Sequence, residues 1–191
     1  MTREWAIVVH EAGHAVVAWY FGMTPTSMTF VGDDGNPCTT HNRESFLKGL
    51  PGKGLIRDLL ASIITAVELA AGGCAELAIG IDHQNCGWSS DATQLQPHLT
   101  AISKICGYSY EYCWEVVSAM AKEVLAEADL WLAVEELAED FVRTRTLGAP
   151  ELSAFFSVRD GAACSDRVQV LLGFVDTPAA RATAKAHGVD R

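Results

Sequence analysis

Apolar residues recur every three or four positions along most of the chain, the spacing that lines one face of a helix. The longest such pattern includes Leu55, Leu59, Ile63 and Ala66 and predicts a largely buried helix over about residues 53–79. Capping residues sharpen other boundaries, as Thr2 does before the first helix. Further helices are predicted at about residues 3–21, from 89 or 90 to 106, and at 110–126, 130–145 and 151–156.

A short β element interrupts the helices. Residues 26–31 are rich in β-branched and aromatic side chains, and a turn-forming sequence follows at 32–37. This pattern predicts a strand entering a loop, and we interpret it as an edge strand. The fold class expected is therefore mainly α, with a small β element.

Composition narrows the class of protein. The 191 residues, 49% hydrophobic and 20% charged, suit an ordinary globular domain. A net charge of −10 disfavours binding to nucleic acid or anionic lipid. The longest charge-free apolar run lies between Asp58 and Glu68, too short to span a bilayer. The N-terminus also lacks the apolar run of a signal peptide.

The pattern of cysteines indicates a reducing compartment such as the cytoplasm. None of the six cysteines forms a C-x-x-C pair, and the chain is long enough to fold without disulfides. We therefore expect free thiols, no membrane insertion and a cytoplasmic location.

The candidate chemistry lies in the first helix, in the segment Val-His-Glu-Ala-Gly-His-Ala-Val at 9–16. His10 and His14 are four residues apart, so both imidazoles lie on one helix face and can reach one zinc ion. Glu11 is displaced about 100° around the helix, where its carboxylate can meet a metal-bound water as general base. The pattern predicts peptide hydrolysis.

Two histidines and a glutamate can also occur on an amphipathic helix without any metal. However, His10 and His14 are surrounded by apolar residues such as Val9 and Val16. Burying two unpaired imidazoles there would be costly, and a metal would satisfy them.

Spacing alone leaves the third ligand open among four residues, Asp91, Asp82, His83 and Glu76. His98 is a weaker candidate, since it lies two helical turns beyond Asp91. We interpret His41, His83, His98 and His187 as surface residues.

The motif resembles the zinc helix of the FtsH family, the ATP-dependent membrane zinc proteases. The likeness extends to the strand at 25–32, the Gly- and Ala-rich helix ending at 70–80, the Ser-Ser-Asp-Ala-Thr sequence at 89–93 and the closing helices at 130–152. It covers about residues 5–156. The resemblance implies a zincin-like metalloprotease fold with bound Zn²⁺, and it assigns the third ligand to Asp91, with Asp82 and His83 as fallback candidates.

Where the sequence departs from the FtsH family, the family's domain organisation and substrate handling are not carried over. His10 lies too near the N-terminus for a preceding ATPase module or membrane anchor, so we expect a peptidase domain at 1–156 and a C-terminal appendage at 157–191. The loop at 32–50 does not reproduce the family's substrate-contacting pattern. The expected substrates are flexible polypeptides, added as a strand along residues 26–31. A homo-oligomer or a separate ATPase partner remains open.

Two other functions fit the same residues. One is a non-catalytic zincin-like binding or regulatory module, although a structural zinc site would not need Glu11. The other is a zinc hydrolase acting on a non-peptide amide. The main expectation is a zinc metalloendopeptidase that works without ATP as an isolated chain.

Overall fold

Helices make up most of the chain. The computed structural model describes residues 2–31, 36–50, 54–82, 88–159 and 171, and the mainly helical class with a small sheet is confirmed. The elements in the described residues are α1 (Arg3–Tyr20), β1 (Thr24–Thr29), β2 (Cys38–Asn42), α2 (Arg43–Gly49), α3 (Leu55–Ala78), α4 (Trp88–Cys106), α5 (Tyr110–Ala126), α6 (Ala128–Thr144), β3 (Thr146–Gly148) and α7 (Ala149–Ser157).

Capping residues set the ends of the first helix as the sequence predicts. The Thr2 side chain accepts a hydrogen bond from the backbone N–H of Trp5 at 3.2 Å. After the helix, Gly22 has a φ of 84°, a left-handed conformation that glycine adopts without a steric penalty. Helix α1 therefore starts and stops within one residue of the predicted boundaries.

Helix α3 is the centre of the fold and packs against α1, α4 and α5. Its crossing with α1 is close because Gly13 faces Ala71 and Ala75. A Cβ atom at Gly13 would lie only 2.8 Å from the Ala75 Cβ. By length and composition α3 could cross a membrane, but 83% of its apolar window is buried within the protein, as in a core helix.

The three strands form an antiparallel sheet in the order β2-β1-β3. The expectation that the first strand is an edge strand is wrong. Met28 in β1 pairs with Thr39 of β2 on one side and with Leu147 of β3 on the other, so β1 is central. β2 lies at the edge.

Three elements had no counterpart in the sequence prediction. Strand β2 has the polar sequence Cys-Thr-Thr-His-Asn, which lacks apolar alternation, and β3 has only three residues. Helix α2 is a seven-residue helix whose start is fixed by the Asn42 side chain, which accepts from the Ser45 N–H at 3.1 Å. None of these segments carries a strong periodic signal.

The predicted appendage at 157–191 lies outside the described residues except for 157–159 and 171. Ser157 ends α7, and Leu171 is buried against the core.

Candidate metal centre

Helix α1 places two histidines one turn apart on its buried face. His10 and His14 are 7% and 5% exposed, and their Nε2 atoms lie 3.0 Å apart. Both rings point toward the gap between α1, α3 and the start of α4. The predicted pairing of the two imidazoles on one face is therefore present in the structure.

Asp91 approaches the same point from the first turn of α4. Its Oδ2 lies 2.9 Å from His10 Nε2 and 3.3 Å from His14 Nε2. Ligand atoms bound about 2.0–2.1 Å from a tetrahedral zinc ion are about 3.3 Å from one another. The triangle of two nitrogens and one oxygen is thus close to the size that a zinc ion requires, and these three residues could hold a metal.

The Asp91 carboxylate has an unmet bonding requirement. Oδ2 is buried and lies within ion-pair distance of both imidazoles, yet no described residue gives it a well-directed hydrogen bond. A buried acceptor left in that state costs free energy. A cation beside Oδ2 would remove that cost, so the donor set fits zinc.

Helix α3 holds the far side of both imidazoles. His14 Nδ1 lies 2.8 Å from the backbone oxygen of Glu68. Since a carbonyl oxygen can only accept, Nδ1 carries a proton, so in the neutral form of the ring the Nε2 lone pair is the one left for a metal. His10 Nδ1 lies 3.1 Å from Glu76 Oε1, at ion-pair distance although not in hydrogen-bond direction.

Gly72 leaves room for the Nε2 atoms of the two candidate ligands. A Cβ atom at this position would lie 2.4 Å from His14 Nε2 and 2.6 Å from His10 Nε2. Glu68, Gly72 and Glu76 follow one another at four-residue intervals, so they share one face of α3 opposite the histidines. Sequence reasoning named Glu76 only as a possible third ligand and did not recognise that Glu68, Gly72 and Glu76 share one face, although two acids at helical spacing in an apolar helix were a visible signal.

Glu11 lines the same cavity as the three candidate ligands. The cavity has a volume of about 530 Å³ and is bordered by α1, α3, α4 and the edge strand β2. Thr39 in β2 donates its hydroxyl to Glu11 Oε2 at 2.8 Å. This hydrogen bond fixes the carboxylate within the cleft, and sequence reasoning did not find it.

His41 is not a surface residue, contrary to expectation. Its side chain is 9% exposed, and its Nε2 lies 3.1 Å from Glu68 Oε1. Burial raises the pKa of Glu68, but hydrogen bonds and charge from the adjacent His14 and His41 outweigh this effect and lower the pKa to about 2. A buried carboxylate on α3 therefore links strand β2 to a candidate metal ligand.

The remaining candidates lie elsewhere. Glu76 faces the Nδ1 side of His10, the outer side of the ring. Asp82 is exposed and does not line the cavity. His98 is half-buried rather than exposed and also does not line it. His83 and His187 lie outside the described residues.

The electrostatics of the cluster favour a cation. Burial lowers the pKa of His10 and His14, but the neighbouring carboxylates outweigh it and raise both pKa values. Burial raises the pKa of Asp91, but the two imidazoles hold it well below its usual range. Positive charge at the centre, whether protons or a metal ion, is therefore stabilised by these acids.

Three of the six cysteines are buried in the described core as thiols that form no disulfide: Cys74, Cys106 and Cys113. Burial raises the pKa of Cys74 to about 11, so this thiol stays protonated.

No protein-family model matches the chain, and no curated protein matches it.

Proposed function

We propose that this protein is a zinc-dependent metallopeptidase with a zincin-like fold of the FtsH type. It would hydrolyse peptide bonds in flexible polypeptides, without ATP when the chain is isolated. The observation that carries the proposal is the triangle of His10 Nε2, His14 Nε2 and Asp91 Oδ2 in the cavity that Glu11 also lines. Three protein ligands leave a coordination position open, as in catalytic zinc sites.

Zinc, when bound, supplies Lewis acidity that lowers the pKa of water toward about 7 and polarises a carbonyl group. His10 and His14 would hold it through Nε2, and Asp91 through Oδ2. The Nδ1 contacts with Glu68 and Glu76 would orient the rings and strengthen them as ligands.

Glu11 would carry the proton transfers. Its carboxylate accepts a proton from the attacking water and later donates it to the leaving amine. Both transfers require one group, held in a fixed position, that can act first as a base and then as an acid. Thr39 engages Oε2 and so restricts rotation of the carboxylate. The other oxygen, Oε1, is the one we assign to proton transfer.

The edge strand β2 is the place for the polypeptide substrate. Strand β1 pairs on both sides, so a substrate cannot be added along residues 26–31 as the sequence suggested. Strand β2 is at the sheet edge, and its residues Cys38, Thr39 and His41 line the cavity. A segment hydrogen-bonded to this edge would pass through the cleft beside Glu11.

The deciding experiment is cleavage of casein, an unstructured protein, by the zinc-loaded chain. Glu11→Gln keeps the shape of the side chain but cannot accept the proton, so the rate should fall by about 100-fold or more. Removal of zinc by a chelator should also abolish cleavage. Glu44→Gln is the matched control, because Glu44 is exposed on α2 and pairs with Lys48 outside the cavity.

A zinc-loaded wild-type chain that cleaves neither casein nor short peptides would contradict the proposal. Cleavage that survives Glu11→Gln would instead remove Glu11 from the mechanism.

A further inference from the structure

Two arginines line the cleft, and among the described residues neither has a carboxylate partner. Arg3 lies in the first turn of α1 and Arg43 starts α2, and both exposed side chains border the cavity that contains the candidate ligands. Within the described part of the chain, neither guanidinium forms an ion pair. Of the four other arginines in the described residues, three are paired with acids, Arg143 with Asp140, Arg145 with Glu4 and Arg159 with Glu136, while Arg57 on α3 has no ion pair there.

The acids inside the cleft are already engaged. Glu11 accepts from Thr39, and Asp91 faces the two imidazoles. With respect to the described residues, the two guanidinium groups are therefore available to a ligand.

We propose that Arg3 and Arg43 make the cleft selective for polypeptide segments that carry a carboxylate close to the scissile bond. This inference rests on the proposed peptidase function and names its substrate class. A guanidinium group binds a carboxylate through two parallel hydrogen bonds, which fix direction as well as add affinity. An acidic side chain and a free peptide C-terminus offer the same chemistry.

The net charge of −10 does not prevent such binding. At physiological salt the Debye length is about 8 Å, so acids on distant faces are largely screened. A carboxylate at contact distance from Arg3 or Arg43 is screened much less. Local charge in the cleft should therefore decide the preference.

The test measures binding to the zinc-loaded Glu11→Gln protein, so that the peptide is not consumed. Fluorescent peptides are compared by anisotropy in matched pairs, with Glu or Gln beside the scissile position and with a free or amidated C-terminus. We expect the acidic member of one pair to bind about tenfold more tightly, the equivalent of about 1.4 kcal/mol. The pair that shows the difference identifies the source of the carboxylate.

The arginine variants assign the effect to residues. Arg3→Gln and Arg43→Gln should each reduce the acid-to-amide affinity ratio, and the double variant should bring it close to one. Arg57→Gln is the matched control, since Arg57 is exposed on α3 and does not line the cavity. Equal affinity for acidic and amide peptides, or a ratio that persists in the double variant, would overturn the inference.

The two proposals fail separately. A wild-type chain that cleaves neutral and acidic peptides equally well would be a peptidase without this selectivity. Selective binding of acidic peptides with no cleavage would keep the arginine site and refute the peptidase.

Discussion

The charge of the Asp91 carboxylate should decide whether the candidate centre binds a metal. Asp91→Asn preserves the size of the side chain but replaces the anionic oxygen near both imidazoles with a neutral amide. Because a zinc ligand must be deprotonated and a good donor, zinc affinity should fall by about 100-fold or more. Competition with a chromophoric chelator measures it.

Asp82→Asn is the control for this change, since Asp82 is exposed and lies away from the cavity. Unchanged zinc affinity in Asp91→Asn would show that the metal, if bound, is held by other residues.

Gly72 is the second residue with a large predicted effect. A methyl group in Gly72→Ala would overlap both Nε2 atoms and push the imidazoles away from the ligand positions. We expect zinc binding to be lost while the helical circular dichroism signal is retained, because alanine favours helix and the rings can turn aside. Gly49→Ala is the control, as nothing lies within 4 Å of its Cβ position. Zinc affinity equal to wild type in Gly72→Ala would contradict the close approach.

Residues differ in how far sequence could predict them. His10, Glu11 and His14 lie within one helical turn, so spacing alone positions them. Thr39 and His41 lie near the centre only because β2 pairs with β1, and this pairing depends on tertiary structure. No local pattern encodes that contact, and for this reason Thr39 was missed and His41 was interpreted as a surface residue.

At the scale of elements, the close crossing of α1 and α3 brings the histidine face of α1 against the face of α3 that carries Gly72. Gly13→Ala places a methyl group 2.8 Å from the Ala75 Cβ and 3.1 Å from the Ala71 oxygen. The strain should exceed the gain in helix propensity and lower the free energy of unfolding by about 1–3 kcal/mol in urea titration.

Ala75→Gly supplies the matched test, because it removes the opposing methyl group. In a double-mutant cycle, Gly13→Ala should cost less in the Ala75→Gly background. Strictly additive effects would argue against a direct contact between these positions.

The helices were predictable because their apolar residues follow the helical period over many turns. Helix α5 begins and ends where the pattern indicated, at Tyr110 and Ala126. Strand β1 was found from its composition, but its central position was not, since the partner strands β2 and β3 are short and carry weak patterns.

At the scale of the whole molecule, we expect protons and zinc to compete for the candidate centre. The folded-state pKa values of His10 and His14 are raised, so in the metal-free protein their stabilising contribution is full below about pH 6.5 and is lost as pH rises through the folded values. The pKa values of Asp91 and Glu68 are lowered, so their contribution is present above about pH 4 and is lost on acidification.

Zinc requires neutral imidazoles and releases their protons on binding. The increase in Tm caused by zinc should therefore be larger at about pH 7.5 than at about pH 5.5. Differential scanning fluorimetry with and without zinc measures this difference, and His10→Ala should abolish it. A zinc-induced shift that is the same at both pH values would contradict proton competition.

Helix α3 serves the core and the candidate centre with the same residues, and this constrains how the protein can evolve. Most positions of a buried helix tolerate exchange among alanine, valine and leucine when volume is compensated nearby. At Gly72 even the smallest such exchange would reach the ligand nitrogens. At Glu68 and Glu76 an apolar replacement would suit the core but would remove the partner of a histidine. If the proposed zinc chemistry is no longer selected for, in nature or in the laboratory, we therefore expect the first substitutions at Glu68, Gly72 and Glu76, and we expect them to raise the stability of the fold.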